Sequence, residues 1–217
     1  MHVAIPMLTL VPGKMGGSET LTRGLLRGLA AAPGEGDRYT VVAEPEGAAS
    51  LRPLVREPVE LRTVGFPRRG DSAAARVASV VRARYAGGRL RRAVSEAAGG
   101  PIDVVHYALT VSVPELKLPR VVTVFDLQHE LMPEFFSVAE RAYRRVFYAG
   151  AIARADAIVT ISEFSKQTIV ERHRVDPERV VVAYQDVDRE LFRPGPVSGD
   201  EALLEPLRLP ERFVFYP

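Results

Sequence analysis

Three short apolar runs, each delivering straight into polar residues, constrain this chain more than any other feature. VVTV at 121–124 leads into Asp126, Gln128, His129 and Glu130. AIVTI at 157–161 leads into Ser162 and Glu163, and VVVAY at 180–184 leads into Gln185, Asp186 and Asp188. The runs are too short for ordinary helices and show no polar alternation, which is the pattern of strands buried on both faces. Such strands belong to parallel sheets covered by helices on both sides. Ligands of open parallel sheets sit outside the carboxyl ends of the strands, so three polar-loaded ends point to one shared crevice.

The remainder of the chain keeps the same alternation. Further strands are expected at 2–10, 38–43, 59–64 and 102–106. Leucines at 21, 25, 26 and 29 predict a helix over 20–32 with Ser18 as its N-cap. GAASLRPLV is a short helical turn interrupted by Pro53, and 73–98 is an Ala/Arg helix broken near Gly87-Gly88. Helices are also expected near 133–154 and over 162–173. Together these give an α/β fold, a doubly wound and mostly parallel Rossmann-like sheet.

Composition removes several function classes. At 217 residues, 47% hydrophobic and 26% charged, the chain has the make-up of a soluble globular protein with one good core. No apolar stretch approaches the ~20 residues needed to span a bilayer. Met1-His2 runs directly into an apolar strand without a basic lead, so no signal peptide is read. The absence of cysteine excludes disulfides and thiolate chemistry and fits a cytoplasmic location.

The net charge of +2 conceals an arginine bias, with clusters between Arg68 and Arg92 and between Arg141 and Arg154. A solvated helix face accounts for such stretches, and the competing readings are peripheral contact with an anionic membrane at its inner face, a nucleic acid or a phosphorylated substrate. Nucleic acid is disfavoured because stacking aromatics do not interleave the basic residues.

The candidate chemistry lies at the strand ends. Gly16 and Gly17 follow the first strand and open a helix, a setting in which backbone amides and the helix dipole hold an anion; a plain tight turn uses the same residues. The stretch lacks the spaced glycine fingerprint of dinucleotide binding. His106 ends its strand, where it either reaches the crevice or caps a loop. Asp126 and His129, three apart in a loop, are suited to moving protons on one ligand, against the alternatives of an Asx turn or helix cap and a surface histidine. Ser162, Glu163 and Ser165 open a helix, where serine first of all caps. No carboxylate cluster suits Mg²⁺ or Mn²⁺, so no metal is expected.

The order D-L-Q-H-E, P-E-F-F-S, A-D-A-I-V-T-I-S-E-F-S-K and V-D-x-x-x-F-x-P resembles the amino-terminal half of family 4 glycosyltransferases. The resemblance implies one half of the two-domain GT-B architecture and a retaining enzyme. It would move a sugar from a nucleotide-sugar donor to an acceptor hydroxyl without metal or other cofactor. The acceptor, a sugar, small molecule or lipid-linked compound, would be bound largely by this half. Gly16, Gly17 and Glu19 are similar to the family's G-G-x-E loop, which implies a role for their amides at the donor phosphate. Family members carry a histidine immediately before the aspartate matched by Asp126; here the position is Phe125. Asp186 likewise stands where the family has the glycine of G-V-D.

The expected organisation is a Rossmann-like domain over 1–195. Residues 196–217 would be a linker and a strand, FVFY, opening a donor-binding domain. The expected site is therefore Asp126 and His129 for catalysis, with Gly16, Gly17, Glu19, His106, Ser162 and Glu163 for donor phosphate or acceptor. Two other readings stay open: an epimerase or hydrolase of nucleotide sugars, and a non-catalytic Rossmann-like binding module.

Overall fold

Apolar strands and amphipathic helices alternate along the chain, and the structure assembles them into one seven-stranded sheet in which every pairing is parallel. This computed structural model describes residues 1–66, 77–78, 80–82, 87–187, 192–195, 197–210 and 212–214, without the side chain of Leu203. The strands are β1 (His2–Pro6), β2 (Arg38–Ala43), β3 (Val59–Thr63), β4 (Val104–Tyr107), β5 (Arg120–Thr123), β6 (Ala157–Thr160) and β7 (Val180–Val182). Their order across the sheet is β3-β2-β1-β4-β5-β6-β7. The chain therefore winds one way from β1 to β3 and the other way from β4 to β7, with the reversal between β1 and β4. The sheet is Rossmann-like and doubly wound, as the apolar runs predict.

Both faces are covered. Val41 packs with Ile5, Leu26 and Leu51, whereas its neighbour Val42 packs with Leu90, Val94 and Val105. Successive side chains of a strand face opposite sides, so two adjacent valines serve two cores. Leu26 comes from α1 (Gly17–Ala31), Leu51 from α2 (Pro45–Leu51), and Leu90 and Val94 from α3 (Gly87–Ala97). Beyond β5 follow α4 (Gln128–Leu131), α5 (Val138–Arg154) and α6 (Glu163–His173).

Several boundaries differ from the sequence reading. β1 stops at Pro6 instead of running to Leu10: Leu10 N donates to Met7 O in a turn. Met7, Leu8 and Leu10 are nonetheless buried, so hydrophobicity there marks a covered loop rather than a strand. The predicted cap Ser18 lies inside α1, whose N-cap is Gly16 with φ 54° and no side-chain hydrogen bond. Glycine reaches that backbone region without steric cost, which lets the helix start earlier. The helix expected near 133–154 begins at Val138. Ser137 caps it in a box with Glu140, each side chain accepting from the other's backbone N–H, after a 3₁₀ turn at Pro133–Phe135. β7 ends at Val182, short of Tyr184.

Of the long Ala/Arg helix, 77–78 and 80–82 are helical and Gly87-Gly88 open α3; residues 73–76, 79 and 83–86 lie outside the described residues. Asp188 lies outside them too, as do Phe215 and Tyr216 of the expected last strand, while Phe213 and Val214 are in no strand.

The chain divides into two compact units, Met1–Tyr184 and Gln185–Pro217. The first holds the whole sheet. The second carries α7 (Asp200–Leu204), within the stretch expected as a linker, and a 3₁₀ turn at Glu205–Leu207. Among the described residues no helix is long and apolar enough to cross a membrane.

Candidate active site

Beside the reversal between β1 and β4, the loops that follow β1, β4 and β5 line a cavity of about 260 Å³. This is the place where open α/β sheets hold ligands. Five segments build its wall. Thr9, Val11, Lys14, Met15 and Ser18 come from the β1–α1 loop and the helix it enters. Leu109 and Val111 come from the loop after β4, and Phe125 and Asp126 from the loop after β5. Phe66 follows β3, with Val77 and Val80 further along. Glu140, Tyr143, Arg144 and Tyr148 project from α5.

The loop after β4 is held from below. The buried Tyr107 hydroxyl donates to Pro114 O (2.6 Å) and accepts from Leu116 N (2.9 Å), and burial pushes its pKa up to about 12. Between Leu109 and Val111, the fully buried Thr110 has φ 64°. A β-branched residue in the left-handed region is strained, by about 1–3 kcal/mol. Its hydroxyl donates to Thr123 O (2.7 Å), which ties the turn to β5.

On the opposite wall, the Arg144 guanidinium lies 4.8 Å from the Phe136 ring centroid and 5.6 Å from that of Tyr148. Burial raises the Tyr148 phenol above the ordinary tyrosine value, while the Arg144 charge and a hydrogen bond with Thr110 pull the other way. Asp126 closes an Asx turn, its Oδ1 accepting from Gln128 N at 3.0 Å.

The residues singled out from the sequence are distributed around this cavity unequally. Asp126 lines it. Gly16 and Gly17 are exposed between Met15 and Ser18, which line it, and a Cβ added to either glycine would meet nothing within 4 Å. Space beside both Cα atoms is thus open. Glu19 is buried and organises the loop: Oε2 accepts from Gly13 N (2.8 Å), and Oε1 from Arg23 Nη2 (2.8 Å).

His129 does not line the cavity. It is buried behind Tyr148, with ring centroids 5.3 Å apart edge to face, and it also meets Phe136 at 6.3 Å. Among the described residues neither of its ring nitrogens has a hydrogen-bond partner. Burial holds the imidazole below the ordinary histidine range, against the pull of Glu130. Glu130 Oε1 is 3.8 Å from His129 Nε2 and 3.2 Å from His173 Nε2.

His106 is the third residue of β4, with Nε2 2.8 Å from Thr123 Oγ1, and burial lowers its pKa to about 4. It is absent from the cavity wall. Ser162 caps α6, accepting from Ser165 N (3.1 Å), and Glu163 is exposed in the first turn; neither reaches the cavity. Of the second arginine cluster, Arg141 and Arg145 are exposed, Arg144 lines the cavity, and Arg154 pairs with Glu115 at 2.7 Å. Among the described residues, no group of three His, Asp or Glu side chains is placed to hold a metal ion.

The α5 contribution is the part the sequence reading missed. Ser137-x-x-Glu140 is a capping-box signature that fixes where α5 begins, and hence which of its residues share a face. That phase was the available signal for Tyr143, Arg144 and Tyr148.

The family model described as Glycosyltransferase Family 4 matches residues 15–191. In fold the chain is similar to Alr3699/HepE of Anabaena, solved in complex with UDP-glucose (TM-score 0.54, 20% identity, 95% of this chain and 50% of that one). It is also similar to UDP-glucose: anthocyanidin 3-O-glucosyltransferase in complex with UDP (TM-score 0.55, 12% identity, 94% and 57%). A third similar structure is Arabidopsis thaliana UGT89C1 complexed with UDP-L-rhamnose (TM-score 0.53, 14% identity, 83% and 51%). The chain thus spans about half the length of the solved structures it matches. No curated protein matches the sequence.

Proposed function

Because the chain belongs to glycosyltransferase family 4, we propose that it forms the acceptor-side half of a retaining glycosyltransferase. In this reading a sugar passes from a nucleotide-sugar donor to an acceptor hydroxyl, and no metal or other cofactor takes part. The observation that carries it is the cavity at the β1/β4 reversal, with Asp126 in its wall and the exposed Gly16-Gly17 pair between two of its lining residues, Met15 and Ser18.

Asp126 is assigned to the reacting hydroxyl, where a carboxylate at hydrogen-bond distance orients the nucleophile and takes up its proton. The Gly16 and Gly17 amides, at the N-terminus of α1, face the leaving phosphate, since a helix N-terminus favours negative charge. His129 acts from behind, holding the Tyr148 ring that lines the cavity. Phe125 stands in the same wall and supplies only an apolar surface.

The donor nucleotide is held mainly by a second domain beyond this half. Coverage of about half the length of the matched structures supports that division. One wall cannot enclose and align two reactants, and alignment is worth roughly 7–11 kcal/mol of barrier. The 217-residue chain alone therefore binds nucleotide sugar weakly and transfers none. Calorimetry with UDP-, GDP- and ADP-sugars tests this: micromolar affinity, or a labelled product from this chain alone, refutes the division. Retention is read from the anomeric configuration of the product by NMR, and an inverted product refutes it. Donor turnover that needs no acceptor would point to the epimerase or hydrolase reading.

A further inference from the structure

The helix that supplies one wall of the cavity has a second face. On the inner side of α5, Phe147, Ala151 and Ile152 pack on the core, while Glu140, Tyr143, Arg144 and Tyr148 line the cavity. The outer side of a surface helix is ordinarily polar. Here it carries Val138, Ala139, Arg141, Ala142, Arg145 and Val146, all exposed, Val138 at 80% and Val146 at 64%. Phe135, in the 3₁₀ turn leading into the helix, is 71% exposed, and Met132 before it is exposed as well. None of these apolar side chains belongs to either core cluster, so the packing of this unit does not account for them.

Charge on the same face is one-sided. From Val138 to Arg154 the helix contains one acid, Glu140, and it faces the cavity. Among the described residues neither Arg141 nor Arg145 has a carboxylate at ion-pair distance. Glu134 is the exposed acid nearby in the chain, in the 3₁₀ turn. At about 100° per residue, Val138, Ala142 and Val146 fall within roughly a quarter of the helix circumference, and Arg141 and Arg145 border them on one side.

An aliphatic strip bordered by arginines suits a helix lying in the plane of a membrane interface. The strip enters the boundary between headgroups and acyl chains, and the guanidinium groups stay among anionic headgroups. A nucleic acid would meet aliphatic side chains where it needs stacking partners. We propose that the outer face of α5, together with Phe135, docks on a bilayer that carries anionic phospholipid. Arg144 and Tyr148, which line the cavity, are one step round the helix from Arg141 and Arg145. Docking therefore holds that cavity wall about one helix diameter, ~10 Å, from the lipid surface. The inference rests on this surface and goes beyond the glycosyltransferase reading.

The test is flotation of the complete protein with vesicles of phosphatidylcholine, alone or mixed with phosphatidylglycerol. Binding to the mixed vesicles is expected to be at least tenfold tighter. Arg141→Gln with Arg145→Gln should weaken it about 30-fold, roughly fivefold for each charge. Arg141→Lys with Arg145→Lys should retain it, because a lipid surface reads charge and makes no demand on the guanidinium fork. Phe135→Ser with Val138→Ser should weaken binding at least tenfold. Raising salt from about 0.1 to 1 M shortens the Debye length from ~10 to ~3 Å and should bring the wild type to the level of the glutamine pair. All four sites are exposed, so thermal unfolding should find every variant as stable as the wild type.

Equal binding to both vesicle types overturns the proposal, as does mixed-vesicle binding that the glutamine and serine pairs leave unchanged or that the lysine pair loses. Absence of binding overturns it too. A lower thermal midpoint for the serine pair would then assign the face to another part of the same chain, and a shift from dimer to monomer in sedimentation would assign it to a second copy. Sugar transfer by a protein that floats with no vesicle refutes this inference and leaves the glycosyltransferase reading standing. Vesicle binding without transfer to any acceptor does the reverse.

Discussion

His106 makes the stability of this fold depend on pH in a calculable way. Its imidazole is largely buried on β4, bonded to Thr123 Oγ1, and burial lowers its pKa from 6.5 to about 4. The unfolded chain takes up a proton at this position below about pH 6.5, while the folded chain refuses it until about pH 4. Stability is therefore whole above pH 6.5, declines as pH falls through that window, and is level below it. A gap of about 2.5 units is worth about 3 kcal/mol in full. At pH 4.5 most of this, about 2.5 kcal/mol, has been lost.

The perturbation is His106→Gln, which keeps a partner for Thr123 and removes the titration. Urea unfolding of both proteins at pH 7.0 and 4.5 gives a double difference in which all other titrating groups cancel. The wild type should lose about 2.5 kcal/mol more than the variant on acidification. With an m-value of about 2.5 kcal/mol/M, that is a midpoint shift of about 1 M. Losses equal within about 0.5 kcal/mol would refute the reasoning. They would mean that the imidazole is open to solvent, and would restore His106 as a group able to act in the crevice.

Other expectations follow from single residues. Gly16→Ala places a Cβ at φ 54° and should cost about 1–2 kcal/mol by denaturant unfolding. Gly17→Ala meets no neighbour and should leave stability unchanged or raised, yet it should lower donor turnover by occupying the approach to the amides. Ser137→Ala removes the α5 capping box and should cost about 1 kcal/mol, seen as a lower thermal midpoint. His129→Phe replaces two unbonded buried nitrogens with hydrocarbon against Phe136 and Tyr148, so its thermal midpoint should hold or rise; a loss above about 2 kcal/mol would show a missing polar partner.

The sheet was legible in the sequence because doubly buried strands leave a continuous apolar signature. VVTV and AIVTI fall within one residue of β5 and β6. Where a loop is itself buried, the same signature misleads, as at Met7–Leu10, which hydrophobicity alone cannot separate from β1. The helix start at Gly16 was missed for a related reason: serine announces a cap by side-chain chemistry, whereas glycine does so only through a positive φ.

The site was legible in part. Strand ends and the Gly-Gly loop pointed to the edge of the sheet where the cavity lies, and Asp126 is in its wall. Nothing local in the sequence distinguishes His106 or His129, turned into the protein, from an imidazole facing a ligand. The α5 side chains lie three to eleven residues beyond Ser137 and depend on helix phase and docking. Thr110 reveals its role only through its backbone angle.

The central claim is that sugar transfer takes place at the Asp126 cavity. The most direct measurement is acceptor-dependent product formation by the complete protein and by its Asp126→Ala variant. Each is incubated with nucleotide sugars and acceptors, with product followed by mass and released nucleoside diphosphate by chromatography. The account predicts one hexosyl adduct per diphosphate released, and a variant that folds normally but turns over about 10²- to 10⁴-fold more slowly. Undiminished product from Asp126→Ala, or diphosphate release indifferent to every acceptor, would contradict it.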